Sequence, residues 1–506
     1  MTPAGRTSVE DVYTLTPVQL GILFEVLAEP APGMYLDQMT CEVRGPLDEA
    51  AFSRAWQAAV DRHPTLRTGF VWNGVSKPVQ IVHRRVPFAV TWLAWRGLDE
   101  AECERRFTEL SEAERRRGVT LETPPLMRVV GVRMGDERYR FVWSIHHLIE
   151  DAWSISVLMK EVLAAYHARA DRIAGPPPRP YRDFVAWLKR QDPRATEAFW
   201  REYLGGWHQV TPIPFGRHRP EAPSEERMYR MSLGADIPRR LATAAKRLRI
   251  TEHILLQTAW ALLLARETGE RDIVFGTVVA GRPMELAGID ATVGPFINTL
   301  PARVRLHPGE PLAELARRLH AEQRLRHRVE HTPLGRIAPW IGHRQGTRLF
   351  ETALIALSAR LGATRDDAGA LVFDRVRSSG RASFPLAMRT RPGNETVLEV
   401  LHDPRRIGTE DAPRVAHGLR TLLDTLPDAL DGPVERLLDR SAPRASMPRP
   451  APFARRSGPA RADLRQPPVA QSGAPPGAPR PDAEGHRPRA IATPTPGEGR
   501  FGEGRT

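Results

Sequence analysis

The stretch LMRVVGVRMGDERYRFVWSIHH, Leu126 to His147, constrains this chain more than any other. Two runs of alternating apolar residues meet at Gly135-Asp136, the pattern of a β-hairpin. A period of two sets Tyr139, Phe141, Trp143 and Ile145 on one face, joined by His147 if the strand continues, and puts His146 on the other. Immediately afterwards LIEDAWSISVLMKEVLAAYH changes to helical spacing. Ile155, Leu158, Val162 and Tyr166 form its stripe, and Asp151 or Ser154 is the N-cap. Two adjacent histidines therefore sit in a strand-to-helix corner, where polar groups can converge on a ligand.

The rest of the chain sets bounds on what that corner can serve. Of 506 residues, 41% are hydrophobic and 26% charged, which excludes disorder throughout and leaves room for two domains. Two cysteines, Cys41 and Cys103, cannot build a disulfide framework or a cysteine zinc site. No run approaches the roughly 18 apolar residues of a membrane helix, and MTPAGRTSVEDVYTLTP lacks the basic-then-apolar order of a signal peptide. The expectation is a cytoplasmic protein with no membrane association. Net charge is +13, but only four of the 73 basic residues are lysine, an arginine skew that a GC-rich genome produces without selection for phosphate binding. No basic helix or aromatic-basic module accompanies the charge, so nucleic acid is not expected as a partner.

Two breaks divide the chain. AGPPPRP, within which 175–180 is read as a connector, has three consecutive prolines that exclude helix and ladder pairing. Residues 441–506 carry 14 of the 47 prolines, 11 arginines and only five acids, with almost no large apolar side chains, so they cannot offset their ordering entropy. A disordered tail is expected there. Its GEGRFG matches a dinucleotide-binding pattern without the flanking strand and helix, and is rejected. The two halves, 1–174 and 181–440, each mix strands with amphipathic helices. Examples are the spacing of Leu47, Phe52, Trp56 and Val60 and the apolar run from Glu252 to Gly269. The fold class is α/β or α+β.

An imidazole near neutral pH can hold or take a proton from an amine or hydroxyl. His146, His147 and Asp151 form HHxxxD, and in context IHHLIEDAWS resembles the HHxxxDGxS motif of condensation domains in nonribosomal peptide synthetases and related chloramphenicol acetyltransferase-type enzymes. Further blocks follow in the family's order: LTPVQLGILF, DRHPTLRTGF, YRDFVAWL, DIVFGTVVAGRP, VGPFINTLPARV and EHTPLGRI. The resemblance covers about residues 10 to 430.

It implies an α/β fold of two acyltransferase-like subdomains forming a V-shaped pseudo-dimer. A central tunnel would be entered from opposite sides by phosphopantetheine arms of donor and acceptor carrier proteins. His147 would position the attacking amine and manage its proton, beside His146. Asp151 would form a structural ion pair, first with Arg282 in AGRP and otherwise with Arg62. Trp153, Ser154, Phe296 and Asn298 are candidates for the tunnel wall, equally readable as cap, packing and loop residues.

The reaction expected is amide formation between two carrier-bound substrates, with no metal, no bound cofactor and no covalent acyl-enzyme. The segments outside the match are too short for a carrier domain, so carriers are expected in trans unless the chain is a piece of a larger module. One alternative is acyl transfer to a free amine or alcohol; another is a degenerate domain that only docks carriers or other partners. Two departures keep these open. The motif glycine is Ala152, which would be strained if the position needs φ > 0. The strand at Leu349 to Arg360 lacks the asparagine that relatives commonly carry. His327, Glu330 and His331 spell an inverted zinc-protease pattern, but Thr332-Pro333 follows at once and no third ligand is identifiable, so a metal is not expected there.

Overall fold

The alternating runs become two six-stranded sheets in a computed structural model. It describes residues 8–438 except 29–32, 217–218, 220, 223–225, 345, 357–363, 366–370, 380–383 and 392–395. The tail expected at 441–506, its GEGRFG and residues 357–360 lie outside the described residues. No helix among them is long and apolar enough to cross a membrane.

The first sheet runs in the order Thr364–Arg365, Val372–Ser379, Leu36–Arg44, Arg138–His146, Met127–Arg133, Thr91–Ala94. The second runs Asn298–Arg305, Asp272–Val279, Thr352–Ala356, Leu386–Arg391, Val397–His402, Arg227–Ser232. One plan underlies both halves. A first strand (Leu36–Arg44 or Arg227–Ser232) pairs antiparallel with the last (Arg138–His146 or Val397–His402). That last strand pairs antiparallel with its hairpin partner, which in turn pairs parallel with a fourth. In each half the first strand is followed by a helix, Glu49–Arg62 or Asp236–Leu248, and the last by another, Ala152–His167 or Ala412–Thr425. The halves are thus two copies of one topology. A three-stranded sheet, Val9–Thr14, Val79–His83 and Thr68–Val71, completes the first.

The 181–440 half does not keep to itself. Its strand Val372–Ser379 leaves the second sheet and pairs antiparallel with Leu36–Arg44 of the first. Backbone donors on an otherwise open edge are satisfied in this way, and the edge is covered. Pairing at such a separation leaves no mark in local periodicity.

Each half has its own core. Phe52, Trp56, Phe70, Phe141, Trp143 and Ile145 pack in one cluster, with Trp56 and Trp143 ring centroids 4.9 Å apart. Burying a side chain such as Phe70 contributes about 1.5–3 kcal/mol. Leu255, Trp260, Leu263, Phe275, Leu354, Met388 and Leu419 anchor the other. Alternation along Arg138–His146 does not put its second face in water. Val142 meets Val130, Val132 and Phe107 of the Glu100–Arg117 helix, and Arg140 and Ser144 are buried too. The Glu252–Thr268 helix is buried nearly all round, which is why its apolar residues show no single stripe.

Candidate active site

The Arg138–His146 strand ends at the first histidine of the pair, and the chain turns. His147 N–H still donates to Tyr35 O (2.9 Å), so the second histidine stays tied to the neighbouring strand. Tyr35 accepts this with a left-handed φ of 54°, one of four positive-φ non-glycine residues among the described ones. The corner is closed from below by the opening block of the chain. Thr16 and Gln19 cap each other at the start of the Pro17–Ala28 helix, and buried Gln19 donates from Nε2 to Leu148 O at 2.9 Å.

The two histidines have different work. His146 is buried, and its Nδ1 accepts the Leu148 N–H at 3.1 Å. Burial first, then the neighbouring His147 charge, push its pKa down to about 3, so the ring is neutral and serves to shape the turn. The His147 side chain is 37% exposed. Its Nε2 lies 3.2 Å from Asp37 Oδ1, and its Nδ1 3.1 Å from Glu150 Oε1. Burial disfavours the charged ring, but the two carboxylates outweigh it and hold its pKa well above the ordinary 6.5. Burial pushes the Glu150 carboxyl up to about 7, with His147 opposing.

Asp151 is the N-cap of the Ala152–His167 helix, accepting the Ser154 N–H at 2.7 Å. The same carboxylate reaches the second half. Arg282 Nη2 lies 3.1 Å from Oδ1, and Oδ2 accepts the Phe296 and Ile297 N–H groups at 3.0 and 3.3 Å. Arg282 Nη1 donates to Ile289 O and Thr292 O, both at 2.8 Å. Ser154 Oγ stands 2.7 Å from Asp151 Oδ1 and accepts from Gly294 N at 3.0 Å. One buried ion pair therefore joins the helix of the first half to the 281–297 loop of the second.

Arg62 is elsewhere, which corrects the expectation that it could serve Asp151. It ends the Glu49–Arg62 helix, pairs with Glu161 at 3.2 Å and donates to Pro176 O at 2.7 Å. It pins the proline connector, leaving Asp151 to Arg282. Phe296 and Asn298 are engaged in structure as well. Phe296 packs between Tyr181 and Phe184 under the Arg282 guanidinium, 4.0 Å from its ring centroid. Asn298 Nδ2 donates to Glu330 O (2.8 Å) and Thr332 O (2.7 Å), fixing the turn of the EHTP block itself. Trp153 is 36% exposed, with its Nε1 donating to Asp290 O at 2.9 Å and its ring beside the Arg282 guanidinium.

Ala152 is the first residue of its helix and is absent from the positive-φ residues, so the methyl group carries no backbone strain. The expected cost at this position does not arise. His327 ends the Leu312–His327 helix and pairs with Glu330 at 2.9 Å, while His331 meets the Trp187 ring edge-on, so the HxxEH residues do not share a helix face.

Gly281 is a position where only glycine fits. Its φ is +62°, and a Cβ there would lie 1.9 Å from Phe296 O. Gly281→Ala is expected to destabilise the protein by about 2 kcal/mol or more and to loosen Arg282. Thermal unfolding checks this; an unchanged melting temperature would contradict the close approach.

Sequence reasoning missed Asp37 and Glu150. Glu150 lies inside the motif, three residues after His147, and its acidity was a readable signal. Asp37 arrives from a strand more than a hundred residues away, and nothing local marks it.

Comparison with known proteins adds a family. A model described as "Condensation domain" matches residues 9–368. A linear gramicidin synthase polypeptide of Brevibacillus parabrevis is 35% identical over 440 residues, 86% of this chain. Surfactin synthase subunit 3 of Bacillus subtilis (strain 168) is 28% identical over 442 residues, again 86% of this chain. The chain spans 6% of the first and 34% of the second. Among solved structures, the condensation domain of the Monacolin K polyketide synthase MokA superposes with a TM-score of 0.71 at 18% identity, over 84% of this chain and 100% of that one.

Proposed function

The chain belongs to the condensation-domain family, and from that premise we propose that it joins a carrier-bound acyl or peptidyl thioester to the amine of a carrier-bound aminoacyl group. Condensation domains work with carrier domains; here the carriers are supplied in trans and bring phosphopantetheine with them, and the chain needs no bound cofactor. The amine nitrogen attacks the thioester carbonyl, the C–S bond breaks, an amide forms and the thiol leaves with a proton.

The observation that supports this most is the partly exposed ring of His147, held over a corner that is otherwise buried and cross-braced by Asp151 and Arg282. A rigid ring at the open edge of a rigid corner is what positioning an amine needs, and holding two reactants in line lowers the barrier by several kcal/mol. Neutral imidazole accepts the amine hydrogen. His146, with its Nδ1 occupied, and Asp151, with both oxygens occupied, act by support. The acyl-transfer step needs no nucleophilic side chain, and Ser154 Oγ, buried and bonded on both sides, is not available as one.

Intact-protein mass spectrometry tests the reading, with an acyl-loaded donor carrier offered carrier-bound aminoacyl groups, free amines and alcohols. Acyl mass arriving on the aminoacyl carrier is the expected result. Arrival only on a free amine or alcohol replaces the acceptor class, and carrier binding without transfer across the panel moves the protein to a docking role.

A further inference from the structure

Glu150 has no part in the reaction as described, yet no other acid is so completely enclosed beside the reacting ring. It is 0% exposed, and among the described residues neither carboxylate oxygen has a hydrogen-bond donor of ordinary geometry. A carboxylate stripped of water and left without donors is costly unless a cation faces it. Among the described residues its only ion-pair neighbour is His147, 3.1 Å from Nδ1. Asp37 stands at the opposite nitrogen, 3.2 Å from Nε2.

We propose that Glu150 is a positioning residue for His147: its buried carboxylate grips the Nδ1 edge while Asp37 grips the Nε2 edge, so the ring is clamped by both nitrogens and stores the proton that transfer must release. The inference rests on the amide-forming reading above and deepens it. A carboxylate on one ring nitrogen fixes orientation and tautomer, as in hydrolytic triads. Here there are two, and their chemistry differs. Glu150 cannot reach water and remains bound to the ring throughout. Asp37 is partly open, so it is the partner an incoming amine displaces from Nε2, and its carboxylate then accepts a hydrogen bond from the amine's second N–H, which stays on the amide nitrogen.

The groups facing the ring come from three elements. Tyr35 lies just before the Leu36–Arg44 strand and Asp37 on it, with the Tyr35 ring edge-on to His147 at 6.3 Å. His146 is the strand neighbour and Glu150 the corner. Behind them, Arg115 and Arg389 act on Asp37, and Asp151 acts on Glu150. Burial works against the Asp37 charge, but His147 first and then Arg389 and Arg115 hold it ionised, whereas burial first and then the Asp37 and Asp151 charges make Glu150 the readier of the two clamps to take up a proton.

Both clamps favour the imidazolium, so removing either charge releases the proton more easily and makes neutral imidazole available at lower pH. The His147 ring is titrated by NMR with labelled histidine, assigned through His147→Ala, in the full chain and in Glu150→Gln and Asp37→Asn. Its midpoint is expected to fall by about one pH unit or more in each variant. The acid limb of the transfer rate moves down by the same amount, and since the amine's own titration is common to all proteins the difference belongs to the ring. Glu150→Ser, too short to reach Nδ1, repeats the measurement should the glutamine variant not fold.

A His147 midpoint unchanged in Glu150→Gln and Glu150→Ser overturns the clamp, even if activity drops, because a merely structural glutamate would lower the rate at every pH alike. A protein that transfers no acyl group but shifts its His147 midpoint as described retains the clamp and loses the amide-forming reading. The two failures are thereby separated.

Discussion

Asp151→Ala is expected to cost about 3–5 kcal/mol of folding stability, the amount characteristic of breaking a buried ion pair by removing one partner. The carboxylate cannot be replaced by water without opening the corner. It caps a helix of 16 residues and accepts from two consecutive backbone N–H groups, Phe296 and Ile297. It also faces a guanidinium whose side chain is 3% exposed. Alanine leaves Arg282 charged in a site where burial already lowers its pKa. The two N–H groups are stranded as well, at about 1–3 kcal/mol each if they find no other acceptor. Asp151→Asn keeps the cap and one acceptor oxygen and is expected to lose less. Removing both charges in Asp151→Ala with Arg282→Met should cost less than the sum of the single changes. Urea unfolding of wild type, Asp151→Ala, Asp151→Asn, Arg282→Met and the double variant measures this. Asp151→Ala that loses activity with wild-type stability would sink the structural role and return Asp151 to the chemistry.

Whatever in this fold is local could be read from the sequence. The Gly135-Asp136 hairpin, the helix stripe through Ile155 and Leu158 and the cap at Asp151 all follow from residues within a few positions of one another. Long-range features were readable only where a family pattern marks both ends, as with Asp151 and Arg282, 131 residues apart. Elsewhere, even inside family blocks, the reading was wrong, divided or silent. Arg62 carries a charge suited to an acid, but helix geometry sends it to Glu161 and the connector. Phe296 and Asn298 sit in a block associated with the tunnel, yet their neighbours in space are Tyr181, Phe184 and the 330–332 backbone. Asp37 and the crossing strand Val372–Ser379 depend on which strands become neighbours, and strand alternation carries no information about that choice.

His147→Ala is expected to lower acyl transfer by about 10²–10⁴-fold, the range for losing a positioned acid–base group. Its effect on folding has a sign that separates it from Asp151→Ala. The ring is partly exposed and tethered mainly by its carboxylates, so its packing is a small loss. What remains is Glu150, buried with no cation facing it. An acid whose folded pKa is raised stabilises the fold below its ordinary value of 4.5 and loses that contribution as pH climbs through the folded value. With His147 present the folded value is about 7; without it the opposing charge is gone and the value climbs further. The wild type also loses the contribution of His147 itself, whose raised pKa stabilises the fold below 6.5 and ceases to do so as pH rises through its folded value. Both proteins therefore decline in melting temperature from pH 5 to 9, the variant through Glu150 alone and over a higher range than Glu150 in the wild type, whereas Asp151→Ala is destabilised at pH 5 already. Adding Glu150→Gln to His147→Ala removes the buried acid, and the decline flattens while transfer stays lost. A decline in His147→Ala no steeper than in the doubly substituted protein would mean that Glu150 finds water or another donor once the ring is gone, and that the ring was not what held it.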